Sequence, residues 1–119
     1  AKIYTIPRPL GRGNLGARGY DKMLFQHFMR IIFRICGNVQ GVGYRWFVRD
    51  AAARCALTGM VRNLGDGSVE GEAQGEKEEI DTFILELKTG HPMARVTSAE
   101  TKRMEELEGE TDFTIDPSR

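Results

Sequence analysis

The glycine-rich run Gly37–Arg45 (GNVQGVGYR) places the strongest constraint on how this chain can fold. It lies between a segment typical of a β-strand, Ile31–Cys36 (IIFRIC), and a segment typical of a helix, Arg45–Leu57 (RWFVRDAAARCAL). Glycines in a strand-to-helix loop let successive backbone N–H groups converge, and the helix that follows adds unpaired N–H groups at its start. The run therefore predicts a concave site for a phosphate-like anion, to which Arg45 can donate two parallel hydrogen bonds.

Two familiar nucleotide-binding loops do not fit this run. A Walker loop requires Gly-Lys followed by Ser or Thr, which is missing here, and the glycine spacing does not suit a dinucleotide fingerprint. Taken alone, a glycine-rich strand-to-helix loop is more often a tight turn than a binding site. The rest of the sequence is needed to choose between a tight turn and a binding site.

Strand and helix signals follow one another in the order β-α-β-β-α-β, with a short strand at the end. The further strands are predicted at Gly59–Leu64, Ser68–Gln74, Ala94–Lys102 and Asp112–Ile115, and the second helix at Glu76–Thr89. Both helices carry apolar stripes, predicted at Val48, Ala51, Ala52 and Cys55 and at Ile80, Phe83, Ile84 and Leu87. This order predicts an α+β, ferredoxin-like split βαβ sandwich. Two helices should cover one face of a four- to five-stranded, mainly antiparallel sheet, leaving the other face comparatively wet.

Topology adds Asn63 to the candidate site. In the split βαβ arrangement the first two strands run in the same direction, so the glycine-rich loop and the far end of the second strand meet at one sheet edge. The amide of Asn63 can accept and donate hydrogen bonds and could hold a water molecule beside a bound anion. An ordinary residue at the end of a strand, before the Asp66-Gly67 turn, is an equally good interpretation.

The composition is typical of one globular domain and argues against nucleic acid and membranes as partners. With 119 residues, 17 basic and 17 acidic side chains, the chain is neutral overall and gives no general electrostatic reason to bind nucleic acid or a membrane. No apolar run is long enough to span a membrane. Cys36 and Cys55 are too few for a disulfide framework or a zinc site, and two small thiols in a cytoplasmic protein are the plain interpretation. Residues 1–28 are expected to be an N-terminal extension, disordered or introduced for expression, and residues 29–119 the domain.

Two motifs make the chain resemble the acylphosphatase family. GNVQGVGYR matches the family pattern Gly-x-Val-Gln-Gly-Val-x-Phe-Arg, and TGMVRNLGDGSVEG matches Gly-x-Val-x-Asn followed by a glycine-containing turn and Val. The similarity extends over essentially all of Met29–Ile115. The resemblance implies hydrolysis of the carboxyl–phosphate bond of acyl phosphates by a cytoplasmic monomer that needs neither a metal nor an organic cofactor.

The resemblance also assigns residues. It implies that Arg45 binds the phosphoryl group and that Asn63 positions the attacking water. The implied phosphate-binding residues, acting mainly through backbone amides, are Gln40, Gly41, Val42, Gly43, Tyr44 and Arg45.

The chain departs from the family pattern at a few positions. Tyr44 replaces the usual Phe and keeps an aromatic ring for the core. Met60 stands where Trp is common, which predicts a looser packing contact near the site. Leu64 replaces a hydroxyl residue found in some members, and the chain continues to Arg119, which disfavours an ion pair of the arginine with a terminal carboxylate.

Acyl phosphates explain why so few side chains would suffice. The carboxylate leaving group is weakly basic and hardly needs a proton, so positioning and charge neutralisation remain the main tasks. We hypothesise that a phosphate oxygen takes the proton of the attacking water, because the motif contains no general base. One alternative, an RNA-binding module of the same element order, is disfavoured because Ser68–Gln74 lacks aromatic residues and carries two glutamates. The main alternative is a non-catalytic phosphate-ligand module, like the acylphosphatase-like domain of hydrogenase-maturation carbamoyltransferases.

Overall fold

The computed structural model describes residues 27–117, so the expected N-terminal extension lies almost entirely outside the described residues. Within this range the elements follow the predicted order. They are β1 Phe28–Asn38, α1 Tyr44–Arg54, β2 Thr58–Asn63, β3 Val69–Glu76, α2 Lys77–Thr89, β4 Arg95–Met104 and β5 Phe113–Ile115. Strand β1 is longer than predicted at both ends, because its pairing with β3 and β4 continues beyond its apolar centre.

The five strands form one sheet in the order β4-β1-β3-β2-β5. All neighbouring pairs are antiparallel except β2 and β5, which are parallel. Strands β1 and β2 both pair antiparallel with β3, so they point in the same direction. The predicted ferredoxin-like α+β class is confirmed, and the ends of β1 and β2 lie at the same edge of the sheet.

The core lies between the sheet and the two helices. Ile31, Phe33 and Ile35 alternate along β1 toward this layer and are almost completely buried, as the period of a half-covered strand requires. The rings of Phe33 and Phe83 meet edge to face, with centroids 5.4 Å apart. Both predicted helix stripes face this core, although Ile84 is only partly buried. None of the helices described for residues 27–117 is long and apolar enough to cross a membrane.

Helix α1 ends three residues earlier than the sequence predicted. Ala56 adopts a left-handed conformation with φ of 55°. Its N–H donates to the carbonyl of Ala53, and the N–H of Leu57 donates to that of Ala52. These two bonds form a Schellman motif, which usually has a glycine where this chain has Ala56. Cys55 is therefore the residue that caps the helix rather than part of it, and it remains buried.

The sheet face opposite the helices is less wet than predicted. Arg30, on this face of β1, is only 2% exposed, and Gln74 on β3 is 7% exposed. The segment after β4 covers them, because Gln74 exchanges two hydrogen bonds with the backbone of Leu107 and Arg30 donates to both carboxylate oxygens of Glu110. The prediction of a comparatively wet face is wrong at this end of the sheet, since a loop with no periodic pattern folds across it.

Candidate active site

A cavity of about 180 Å³ lies at the sheet edge where β1 ends and β2 ends. The loop between β1 and α1, the first turn of α1 and the end of β2 form its walls. Its lining residues are Val39, Gln40, Gly41, Gly43, Tyr44, Arg45, Trp46 and Asn63. The cavity therefore brings Arg45 and Asn63 together, although they are distant in sequence.

Two glycines give the loop its curvature. Gly41 and Gly43 have φ of 81° and 74°, in the left-handed region that residues with a Cβ rarely adopt. A Cβ atom at either position would meet no heavy atom within 4 Å. The conformation, not a lack of space, thus requires glycine here, and the backbone stays open toward the cavity.

The start of helix α1 supplies hydrogen-bond donors without partners in the helix. The first intrahelical bond runs from the N–H of Phe47 to the carbonyl of Gly43. The N–H groups of Tyr44, Arg45 and Trp46 consequently precede the regular bonding pattern. Within residues 27–117 no side chain caps this end, and the first turn carries no acidic residue. The positive end of the helix dipole is thus free to attract an anion in the cavity.

Gln40 fixes the loop to the sheet through its side chain. Its Nε2 donates to the carbonyl oxygens of Leu64 and Ser68, both at 2.9 Å, in the turn that joins β2 and β3. The side-chain donor of Gln40 is therefore used within the fold and is not available to a ligand. Asp66 stabilises the same turn by accepting hydrogen bonds from the hydroxyl and the N–H of Ser68, which lower the pKa of its carboxyl group.

Asn63 presents an unsatisfied oxygen. It is the last residue of β2 and pairs with Val69 of β3, so its backbone is held by the sheet. Its Oδ1 atom is buried and accepts no hydrogen bond from any of the described residues. A buried amide oxygen without a partner costs free energy, which a bound water or ligand donor would recover.

Tyr44 anchors the first turn of α1 in the core. Its ring is 1% exposed, and its hydroxyl donates to the carbonyl oxygen of Leu87 in α2 at 2.6 Å. Burial raises the pKa of this hydroxyl far above its usual value. The side chain therefore holds the helix in place and has no proton available for chemistry near neutral pH.

Arg45 is the charged group of the cavity. It is half-buried and, unlike Arg30 or Arg54, forms no ion pair among the described residues. The residues of the described chain that line the cavity include no histidine, aspartate or glutamate. Within residues 27–117 no cluster of three or more His, Cys, Asp or Glu side chains is arranged to hold a metal ion. The cavity thus offers hydrogen-bond donors, one guanidinium and one amide oxygen.

Most of the residues assigned from the sequence line this cavity, and two details differ. Val42 is absent from the lining and packs partly against the core. Met60 also lies away from it, on the sheet face opposite the helices, with its sulfur 3.7 Å from Nη1 of Arg62. Sequence reasoning missed Trp46, which lines the cavity from α1. Its position off the apolar stripe of α1 was the available signal, because a tryptophan there has to face solvent or a site.

Together, fold and cavity define a small ferredoxin-like α+β domain with an uncapped helix start and an arginine at a single edge of its sheet. The family model for acylphosphatase matches residues 31–115, which is more than half of the chain. The chain belongs to the acylphosphatase family.

Individual relatives agree with this assignment. An acylphosphatase of Bacillus licheniformis is 42% identical over 79 residues, covering 66% of this chain and 88% of that protein. The crystal structure of acylphosphatase from Bacillus subtilis superposes with a TM-score of 0.71 at 35% identity, over 74% of this chain and 98% of that one. Full-length HypF, in its phosphate- and nucleotide-bound form, gives a TM-score of 0.70 at 32% identity, over 76% of this chain but only 12% of HypF.

Proposed function

We propose that this protein hydrolyses acyl phosphates at the cavity, with Arg45 and the loop amides holding the phosphoryl group and Asn63 placing the attacking water. Membership of the acylphosphatase family supports the activity. The observation that supports the site most directly is the meeting of Arg45, the uncapped start of α1 and the unpartnered Oδ1 of Asn63 in one cavity.

The phosphoryl group would be bound through its equatorial oxygens. Backbone N–H groups of the glycine-rich loop and of the first turn of α1 donate to them, and the guanidinium of Arg45 neutralises their charge. Such preorganised donors are worth most where negative charge develops in the transition state. The left-handed conformations of Gly41 and Gly43 give the loop that carries these donors its curvature.

Asn63 would act on the water molecule. Its Oδ1 accepts a hydrogen bond from the water and orients one lone pair of the water oxygen toward phosphorus. The P–O bond to the acyl group breaks as the new P–O bond forms, and the carboxylate leaves with the electron pair. The proton of the water passes to a phosphate oxygen, because the cavity lining described here offers no histidine or carboxylate.

Turnover of benzoyl phosphate by matched variants tests this proposal. Arg45→Ala should lower kcat/KM by about 1,000-fold, since it removes the charge that stabilises the transition state. Asn63→Ala should lower it by about 100-fold through loss of water positioning. Asn38→Ala and Arg103→Ala are the controls, because Asn38 and Arg103 are exposed and lie outside the cavity lining.

Each outcome has a clear meaning. Activity that survives in Arg45→Ala would contradict the site, and binding of inorganic phosphate without any turnover would favour the non-catalytic phosphate-ligand module instead.

The similar proteins do not favour that non-catalytic alternative: the chain covers 88% of a relative named acylphosphatase but only 12% of HypF. A profile of kcat/KM that is flat between about pH 5 and 8 would support proton transfer to phosphate, whereas a bell shape would indicate a titrating side chain.

We further propose that residues 29–119 act as a monomeric domain in the cytoplasm, without nucleic acid. Cys36 and Cys55 are both free thiols, and burial, assisted by Glu79 and Glu86, raises the pKa of Cys55 to about 11, which suits an inert side chain. The arginines on the sheet face that an RNA-recognition motif would use are paired with carboxylates, as in Arg62–Glu70. Light scattering on a sizing column tests the monomer, and a dimer mass would contradict it.

A further inference from the structure

Trp46 is placed unlike the other aromatic side chains around the core. It is the single tryptophan of the chain. Its side chain is 55% exposed, whereas Tyr44, Phe33 and Phe83 are almost fully buried. It nevertheless lines the cavity together with Arg45 and Asn63. An exposed aromatic ring beside a polar cavity provides apolar contact area at the point where a ligand would leave the cavity.

Arg49 holds this ring. Its guanidinium carbon lies 4.4 Å from the centroid of the Trp46 ring, within the range of a cation–π contact. Arg49 makes no ion pair among residues 27–117, in contrast to Arg54 on the same helix, which pairs with Glu86. Residues 46 and 49 are three positions apart and so are neighbours on the helix surface. The contact restrains the indole at the rim of the cavity.

The two functional walls of the cavity come from different elements. Asn63 is contributed by the sheet, whereas Trp46 belongs to the first turn of α1. In an in-line displacement the water and the leaving group lie on opposite sides of phosphorus. If Asn63 holds the water, the acyl group extends away from Asn63, and Trp46 is the lining side chain that offers it exposed apolar surface.

We propose that Trp46, restrained by Arg49, is the subsite for the acyl group and makes the protein select planar apolar acyl groups over small ones. This inference rests on the proposed function and adds a substrate class to it. Benzoyl phosphate offers an aromatic ring for contact with the indole, whereas acetyl phosphate offers a single methyl group. A contact between two aromatic rings corresponds to a preference of roughly 3- to 10-fold.

The test compares the two substrates as a ratio. The ratio of kcat/KM for benzoyl phosphate to that for acetyl phosphate should fall about 3- to 10-fold in Trp46→Ala and recover largely in Trp46→Phe. Arg49→Ala should give an intermediate fall, because the ring loses its restraint but remains present. Leu85→Ala is the matched control, since Leu85 is 59% exposed but lies on α2 outside this cavity, and should leave the ratio unchanged. An equal loss for both substrates in Trp46→Ala, or no loss, would overturn the inference.

Binding without turnover separates this inference from the proposed function. Because Trp46 is the only tryptophan, its fluorescence reports directly on ligands at the cavity rim. Benzoyl phosphonate should change this fluorescence and bind about 3- to 10-fold more tightly than acetyl phosphonate. Preferential binding in a protein that hydrolyses neither substrate would refute the proposed function and support the subsite. Equal binding of the two phosphonates in an active enzyme would refute the subsite alone.

Discussion

Arg30 and Arg45 occupy opposite situations in the same sheet-and-helix sandwich. Arg30 is 2% exposed and donates hydrogen bonds to Glu72, Gln74 and Glu110. Arg45 is half-buried, lines an open cavity and has no carboxylate partner among the described residues. The first guanidinium is satisfied within the described chain, and the second remains available, as the proposed site requires.

The difference teaches how one residue type can serve structure or function. A buried charge whose partners are removed is costly, so the Arg30 cluster ties the segment after β4 to the sheet. A charge without a carboxylate partner, beside uncapped backbone donors and an unpartnered amide oxygen, instead lowers its free energy by binding an anion. We infer that the Arg30 face contributes to stability, and that the Arg45 edge gives up stability for function.

The same substitution at both arginines should separate the two roles. Arg30→Met should lower the free energy of unfolding by about 2–3 kcal/mol, less than for a wholly buried pair, because Glu72 and Glu110 keep some contact with water. Arg45→Met should change it by only about 0.5 kcal/mol but reduce kcat/KM for benzoyl phosphate by about 1,000-fold. Urea unfolding and steady-state kinetics on both variants provide the measurements.

Arg34→Met gives the control for the first half of that prediction. Arg34 also pairs with a carboxylate, Asp66, but both side chains are well exposed. Its loss should cost at most about 1 kcal/mol, as for a surface ion pair. Comparable destabilisation in Arg30→Met and Arg34→Met would refute the structural importance of burial at Arg30.

Acid should weaken the Arg30 cluster through Glu110. The hydrogen bond from Arg30 comes first among the interactions that hold the pKa of Glu110 below its usual value of 4.5. A carboxyl group with a lowered pKa in the folded state stabilises the protein above its unfolded pKa, and this stability is lost as the pH falls through the folded pKa. Glu110→Gln should therefore cost about 1.5 kcal/mol near pH 7 and progressively less as the pH falls below 4.5.

The measurement is the difference in unfolding free energy between the parent and Glu110→Gln at several pH values. Asp66 also has a lowered pKa, but it is present in both proteins and cancels in the difference. A difference that stays constant down to about pH 3 would show that the charge of Glu110 does not contribute. Glu110 would then stabilise the Arg30 cluster without its charge, and the ion pair of Arg30 with Glu72 would remain.

The Arg45 edge and the Arg30 face also differed in how far the sequence predicted them. The placement of Arg45 and Asn63 at one edge followed from element order, because parallel β1 and β2 must end at the same side of the sheet. The Arg30–Glu110 contact joins residues 80 positions apart through a loop without periodicity, so no local pattern indicated it. The catalytic roles of Arg45 and Asn63 remain predictions, since geometry brings residues together without showing turnover.

Two further differences between the sequence prediction and the structure have local causes. The Schellman end of α1 carries Ala56 where glycine is the usual signal, so the apolar stripe alone suggested a longer helix. Trp46 was overlooked because periodicity identifies residues that face the core and says little about those that face a ligand. The sequence therefore predicts the core layer better than it predicts the rim of the cavity.

Tyr44 ties the start of α1, beside Arg45, to the end of helix α2. Its hydroxyl donates to the carbonyl of Leu87, one of the last carbonyls of α2, which have no partner within the helix. Tyr44→Phe should lower the free energy of unfolding by about 1–2 kcal/mol, because that carbonyl is left unpaired in a buried place. Thr89→Val removes a similar bond, from Oγ1 of Thr89 to the carbonyl of Leu85, but in an exposed position, and should cost only about 0.5 kcal/mol. Equal costs in urea unfolding would show that water replaces the Tyr44 bond, and that the first turn of α1, with Arg45 on it, is held by ring packing alone.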